Sequence, residues 1–344
     1  MMRKLVVIVF TLCFGSAFGI ENSLIQELNP IVYMEEHFFK FSDNHLVALQ
    51  RAIDAPCKLR VMSYNILSKY YDRLQIEENR WEHRKNRVLA LIRQDAPDVL
   101  CCQELTVDQI LDLTSELGTQ YEVYAPLPNE EKYCTEVLGI FYDKQRFTLK
   151  SAEKQELGVT HFSEELQSYC FQYFLKAVFV DKPSGEEFVV YNTHADYLMP
   201  GGRMELVDFL LKEAEQDASK YPTILTGDFN THLASIPTPF KEFPLAPVLD
   251  GPYIQHTLTR NHFRDSLNIP LIAHVGPLST FTYVQGKGCF AGVDSSLQLT
   301  FDHIFVTPAT IRVIFHLHEP ATVDGSFPSD HIPVIADVAI GFLP

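Results

Sequence analysis

Five apolar runs in this 344-residue chain end in, or lead into, a side chain able to ligate a metal or move a proton. They are Val61-Met62-Ser63-Tyr64-Asn65, Val99-Leu100-Cys101-Cys102-Gln103-Glu104, Val189-Val190-Tyr191-Asn192-Thr193-His194, Ile224-Leu225-Thr226-Gly227-Asp228-Phe229-Asn230, and Ser329-Asp330-His331 ahead of Ile332-Pro333-Val334. Each has an ordinary explanation when taken singly. An Asn after a strand is commonly a turn residue, a lone Glu a solvated charge, and an isolated His such as His194 a satisfied structural group. Recurrence of the arrangement is what points to one site, because strand ends present functional groups on a rigid scaffold. Carboxylates and imidazoles suit metal ligation and acid–base work. Asp228 and Asn230, two apart on an extended segment, fall on the same side of the chain.

The elements that must position these groups are legible as alternating runs. Residues 58–65, 98–103, 137–142, 171–180, 188–194, 223–228, 300–306, 312–318 and 333–339 read as strands, and Trp81–Gln94, Asp108–Leu117 and Met204–Ala214 as helices. So many strands with so few helices predict a two-sheet core flanked by helices rather than a singly layered parallel sheet. The Pro- and His-rich stretch 231–280 has the weakest periodicity and is expected to be loop with short helical turns. Residues 20–57 form an N-terminal extension in which Ser42 or Asp43 can cap a helix carrying Leu46, Val47, Leu49 and Ile53.

A composition of 46% hydrophobic and 21% charged residues is that of a globular chain with a sizeable core. Residues 1–19 have the build of a signal peptide: Arg3 and Lys4, the apolar stretch Leu5 to Phe14, then the small residues Ala17 and Gly19. The expected location is therefore secreted or periplasmic. The apolar stretch is too short to span a bilayer comfortably, and stable membrane insertion is not expected. Loss of residues 1–19 removes two cations and takes the net charge from −16 to −18. That balance disfavours sequence-independent grip on nucleic acid, which relies on clustered Lys and Arg. Loss of Cys13 leaves six cysteines, an even count that permits disulfides; Cys101 and Cys102, inside an apolar run, are expected to be buried thiols. No CxxC pair or Cys/His cluster at zinc spacing is present.

Taken together and in this order, the motifs resemble the endonuclease/exonuclease/phosphatase superfamily. The residues that carry the resemblance are Tyr64-Asn65, Gln103-Glu104, Asn192-Thr193-His194, Gly227-Asp228-Phe229-Asn230, Phe301-Asp302-His303-Ile304-Phe305 and Ser329-Asp330-His331-Ile332-Pro333. It covers residues 58–344, which are accordingly read as the catalytic domain. Tyr64-Asn65-Ile66-Leu67-Ser68-Lys69-Tyr70-Tyr71 is similar to the opening of the deadenylase and nocturnin-like branch, as is the segment from Trp81 through Arg84, Leu91 and Asp98 to Glu104, which also resembles secreted bacterial relatives. The resemblance implies a four-layered α/β sandwich, two packed mixed β-sheets flanked by helices. It implies a Mg2+ or Mn2+ cofactor held by Glu104 and Asn65, with Asp330 approaching it, and in-line attack of water on a phosphoester. Asp228 orients or deprotonates that water, Asn230 donates to the phosphate or ligates, Asp302 holds His331 as a charged phosphate-binding group, and His194 contacts the scissile phosphate or assists the leaving group. His303, His232 and Asp196 are read as polar neighbours of the site.

Specificity is expected from loops: Tyr70, Tyr71 and Arg73 after Asn65, the stretch Tyr197 to Arg203 after His194, and Phe281 to Ser295 with Lys287. Tyr70 could stack on a base, and Arg73 and Arg203 could hold a phosphate, though loop tyrosines also pack locally. The leading expectation is a monomeric, exported nuclease or phosphodiesterase acting on RNA or DNA. The alternatives are a phospholipid or inositol-phosphate phosphoesterase of the same superfamily and a secreted binding protein without turnover.

Overall fold

The computed structural model describes residues 43–126, 136–163, 168–231, 250–284, 287–294 and 299–341. Two β-sheets pack face to face. The first has seven strands in the order β10-β14-β15-β1-β2-β4-β3: β1 Cys57–Asn65, β2 Val99–Leu105, β3 Tyr121–Tyr124, β4 Val137–Asp143, β10 His274–Val275, β14 Ile311–His318 and β15 Val334–Ile340. The second has six in the order β5-β6-β7-β8-β13-β9: β5 Phe147–Ser163, β6 Ser168–Asp181, β7 Glu187–His194, β8 Thr223–Asp228, β9 Arg264–Asp265 and β13 Asp302–Val306. A two-stranded ribbon, β11 Tyr283–Val284 with β12 Gly288–Cys289, stands apart.

The two-residue period of the strands explains the layering. On β1, Leu59 and Val61 face the other sheet, joined there by Val99, Cys101, Val190, Ile224, Ile304 and Val338. Met62 and Tyr64 on the opposite face meet Trp81, Val88, Leu91 and Ile92 of α2, Trp81–Asp95, and Leu113 and Leu117 of α3, Val107–Leu117. The second sheet turns Val189, Tyr191 and Leu225 outward onto Leu206, Leu210 and Leu211 of α4, Pro200–Ala218, and Ile254 and Leu258 of α5, Gly251–Arg260. Strands buried on both faces read as continuous apolar runs, as these do. Helix α1, Asp43–Asp54, lays Leu49 and Ala52 on Ile314 and Ala339 of the first sheet. Helix, sheet, sheet, helix is the four-layered arrangement implied by the motifs. No helix among the described residues is long and apolar enough to cross a membrane.

The nine strands read from the sequence are present, with ends moved by a few residues at most. Six further strands, β3, β5, β9, β10, β11 and β12, were not foreseen, the last four being only two residues each. β5 runs 17 residues at the edge of the second sheet and carries Lys150, Glu153, Lys154, Gln155 and Glu156, so its apolar periodicity is masked by a solvated face. Three bulges against β6 break its alternation further. Helix α5 lies in the stretch expected to be mainly loop, and the rest of that stretch from 232 to 249, His232 included, lies outside the described residues. Residues 1–42 also lie outside them, so the signal segment and the Ser42 cap are not described. Cys101 and Cys102 are buried, as expected for thiols within an apolar run.

Candidate active site

Topology brings the motif residues to one edge of the sandwich. β1 and β2 run parallel with Asn65 opposite Gln103, and β7 and β8 run parallel with His194 opposite Asp228. β13 is antiparallel to β8, so its first residue, Asp302, lies opposite Asp228. The loop 329–331 enters β15, which is antiparallel to β1. C-terminal ends of four strands and N-terminal ends of two therefore meet at the same rim. Gly227 is required there: at φ +154° a Cβ would lie 2.3 Å from the carbonyl oxygen of Thr193 on β7.

Local anchors fix the loops. The buried guanidinium of Arg84 on α2 donates to the carbonyls of Ile66 at 2.7 Å, Leu67 at 2.9 Å and Pro328 at 2.9 Å, holding the segment after Asn65 and the segment before His331 together. Ser329 Oγ donates to the Asn65 carbonyl at 2.9 Å. Gln103 and Asn192, both in the motifs, are interior staples between the sheets: Gln103 Nε2 donates to Asn192 Oδ1 at 2.7 Å, and Asn192 Nδ2 donates to the Cys102 and Gly139 carbonyls at 2.9 and 3.1 Å.

Within the rim, Asn65 Nδ2 donates to Glu104 Oε1 at 2.8 Å and to Asp228 Oδ2 at 3.0 Å, while its Oδ1 accepts from Leu67 N–H at 3.1 Å. Its amide nitrogen thus spaces two carboxylates, while its oxygen accepts one backbone hydrogen bond. Glu104 Oε2 accepts from Ser68 N–H at 3.1 Å. His194 Nε2 lies 3.8 Å from both Glu104 Oε1 and Asp228 Oδ2, and its Nδ1 3.8 Å from Glu136 Oε2. Asn230 Nδ2 sits 2.9 Å from His194 Nε2 and donates to the Ala195 carbonyl at 2.9 Å, and Asn230 N–H donates to Asp228 Oδ1 at 2.8 Å. His331 Nδ1 meets Asp302 Oδ2 at 2.7 Å, and its Nε2 faces Asp228 Oδ2 at 3.8 Å.

Burial alone would lower the His331 pKa, but Asp302 and Asp228 outweigh it and hold the imidazole protonated well above its ordinary range. Burial raises Asp228, and the facing charges of His331 and His194 more than reverse that, leaving it a carboxylate. Burial also raises Glu104, with Asp330 adding repulsion, and raises Glu136 strongly, with Glu104 adding repulsion. Acids held above their usual range by burial and by one another suit a divalent cation. One ligand atom from each of Glu104, Glu136 and His194 lies within 4.8 Å of the other two, and the oxygen-rich donor set fits a hard cation. Glu136 was missed by the sequence reading; it is the last residue before β4 and, unlike Glu104, ends no apolar run.

The structure brings together Glu104, Asn65, Asp228, Asn230, His194, Asp302 and His331, with Asp330 in electrostatic reach of Glu104 and His331. Tyr70 and Arg73 lie exposed on the 3-10 turn Lys69–Leu74 that follows Ser68. Arg203 does not belong with them. Its guanidinium is fully buried and paired with Asp250 at 2.5 Å, so the expectation that it contacts substrate is corrected: it is the first-turn clamp of α4. His303 is structural, bonded to Asp265 at 2.7 Å. Asp196 points away from the rim to His161 at 2.8 Å.

Comparison with known proteins decides the family, since the Endonuclease/Exonuclease/phosphatase family matches residues 62–331. The chain belongs to the Endonuclease/Exonuclease/phosphatase family. Nocturnin of Drosophila melanogaster is 25% identical over 341 residues, covering 85% of this chain and 49% of that protein. The CCR4-Not complex 3'-5'-exoribonuclease subunit Ccr4 of Mycosarcoma maydis is 23% identical over 339 residues, covering 80% and 50%. The chain therefore spans about half the length of the curated relatives it matches. Among solved structures, the endonuclease/exonuclease/phosphatase from Bacteroides vulgatus superposes with a TM-score of 0.67 at 25% identity, covering 83% of this chain and 99% of that one. These relatives place the Endonuclease/Exonuclease/phosphatase chain beside the deadenylase-like branch.

Proposed function

We propose that the chain is a divalent-cation-dependent phosphodiesterase that hydrolyses nucleic-acid phosphodiesters, short single strands above all. The observation that carries the reading is the convergence of Asp228 with two imidazoles, 3.8 Å from His331 and 3.8 Å from His194, opposite the carboxylate Glu104. A carboxylate kept ionised beside the protonated His331 can hold an attacking water and take up its proton, while His331, fixed by Asp302, meets the phosphate oxygens as charge builds on them. The water oxygen bonds to phosphorus, the bond to the leaving oxygen breaks, and His194 stands where it can protonate that oxygen. Glu104 and Glu136, with Asp330, would hold Mg2+ or Mn2+, which supplies positive charge against the phosphate. The printed name of the Mycosarcoma maydis relative, an exoribonuclease subunit, favours nucleic acid as substrate class.

A second reading, a small phosphate monoester or diester such as a lipid headgroup, is favoured by the net charge of −16, which repels long polyanions. The purified full chain assayed with Mg2+ against oligonucleotides, inositol phosphates and choline phospholipids separates the two. Faster turnover of oligonucleotides is expected; faster turnover of a small phosphoester than of any oligonucleotide installs the second reading. Residues 1–19 are further proposed to direct export, with the mature chain starting near Ile20. Mass spectrometry of the protein made in an exporting host checks this, and an intact Met1 on cytoplasmic protein refutes it.

A further inference from the structure

A second constellation of ligand-type side chains lies outside the rim, on the projecting end of the β5–β6 hairpin. Strand register places His161 directly across from Cys170, and the bulge between Val159 and His161 sets Thr160 beside them. Paired cross-strand side chains have Cβ atoms about 5 Å apart, close enough for both to reach one ion. Asp196, two residues beyond His194, closes the group from the loop after β7. Its Oδ2 stands 2.8 Å from His161 Nδ1 and accepts from Thr160 Oγ1, while its Oδ1 accepts from the backbone N–H groups of Leu198 at 2.8 Å and Met199 at 3.0 Å. One ligand atom from each of His161, Cys170 and Asp196 lies within 4.8 Å of the other two. The Asp196 side chain is fully buried and that of His161 is 15% exposed, with His161 Nε2 buried and lacking a hydrogen-bond partner.

We propose that His161, Cys170 and Asp196 form a zinc site separate from the phosphoesterase centre. An imidazole nitrogen, a thiolate and a carboxylate oxygen are the donors zinc takes, and three protein ligands leave a fourth, water-held position. The thiolate selects against the hard cations that suit the all-oxygen acids of the rim. Charge also balances: thiolate and carboxylate together neutralise a divalent ion in a buried place where either anion alone would be costly. Zn–N, Zn–O and Zn–S bonds of about 2.0 to 2.3 Å require ligand atoms somewhat under 4 Å apart, so the group closes by small side-chain rotations. Spacing of nine and 26 residues hides the site from any sequence pattern, since the hairpin and the β7 loop, not local sequence, assemble it. When filled, it ties the hairpin to the loop whose Ala195 carbonyl receives Asn230.

Cobalt(II) added to the metal-free full chain is the probe, because thiolate coordination gives a near-ultraviolet charge-transfer band that carboxylate and imidazole ligands do not produce. One equivalent is expected to bring the band to its plateau, and one equivalent of zinc to abolish it and raise the thermal midpoint. Cys170→Ser and Asp196→Asn should lose the band, whereas Glu104→Gln and Cys289→Ser should keep it. No band in the wild-type chain, or a band that survives Cys170→Ser, overturns the proposal.

Discussion

Replacing Arg203 by Met tests whether this cation belongs to the fold or to the substrate. In the folded chain its side chain is 0% exposed and that of Asp250 1%. Nε donates to Asp250 Oδ2 at 2.5 Å, Nη2 to Oδ1 at 3.0 Å and Nη1 to the Asp196 carbonyl at 2.8 Å. Met keeps most of the volume and removes every donor, so Asp250 is left buried with, among the described residues, Thr231 Oγ1 at 3.2 Å as a side-chain donor. Breaking a buried pair from one side costs about 3–5 kcal/mol. At about 1.4 kcal/mol per tenfold, that lowers the folding constant by roughly a hundredfold to several thousandfold. With a urea slope of about 3 kcal/mol/M the midpoint should fall by roughly 1–1.7 M. Arg203→Met combined with Asp250→Leu should recover most of the loss, since an apolar pair of like volume is often as stable as the ion pair it replaces. Urea unfolding followed by circular dichroism, with KM measured on the folded fraction, gives the answer. A loss below about 1 kcal/mol, or a raised KM at unchanged stability, would refute the structural role and return Arg203 to the substrate.

Glu104→Gln should leave the unfolding midpoint near that of the wild type and cut turnover by orders of magnitude, because a neutral oxygen replaces a charged one in the cation's donor set; full activity of the wild type in excess chelator would refute the cation requirement. His331→Ala and Asp302→Ala should each cost orders of magnitude in turnover, the double variant little more than the worse single one, and additive losses would show that the two act independently. Asp302 raises the His331 pKa, so Asp302→Asn should move the alkaline limb of kcat/KM to lower pH; an unmoved limb refutes the pairing. On the first sheet, burial lowers His318 to about 3 and His316 well below its ordinary value, so the unfolded chain binds more protons. Stability should therefore be present above about pH 6.5 and fall toward pH 3, by up to about 1.4 kcal/mol per pH unit for each histidine, and His318→Gln should flatten the decline measured by thermal unfolding between pH 7 and pH 5.

The site was legible where strands buried on both faces end in a polar residue, because an apolar run that stops at Asp228 or Glu104 marks both an element and its functional tip. Asp302 required the resemblance, since it stands at the beginning of a strand, ahead of the apolar run; His331 was marked by the apolar run that it leads into. Glu136 also leads into an apolar run, Val137 to Phe141, and was passed over because it ends none. The misplacement of Arg203 has a physical reason: a cation in a glycine-bearing segment after His194 looks exposed, yet Pro200 begins a helix there and turns residue 203 inward onto Asp250. Asn192 and Gln103 look like site residues from their positions in the motifs. Their side chains point instead between the sheets, because alternation along β2 and β7 sends neighbouring residues to opposite faces. β5 was lost for the opposite reason, its charges belonging to an edge that faces water.

That inward-pointing pair sets the geometry of the rim. Glu104 follows Gln103 on the first sheet and His194 follows Asn192 by two on the second, so the 2.7 Å bond between Gln103 and Asn192 fixes how far apart the two sheets deliver their functional groups. Glu104 stands at the β2 bulge with φ +57°, and Asn230 follows β8 with φ +49°, a left-handed backbone that costs each non-glycine residue on the order of 1–3 kcal/mol. Such conformations persist where surrounding bonds over-determine them. At Asn230 those are its N–H on Asp228 and its amide on the Ala195 carbonyl; at Glu104 they are Asn65 and the Ser68 N–H on its two oxygens. The separation of carboxylates and imidazoles at the rim is thus imposed by sheet packing and by backbone held off its preferred basins. A cation or phosphate entering it meets groups already in place, and little of its binding energy is consumed in arranging them.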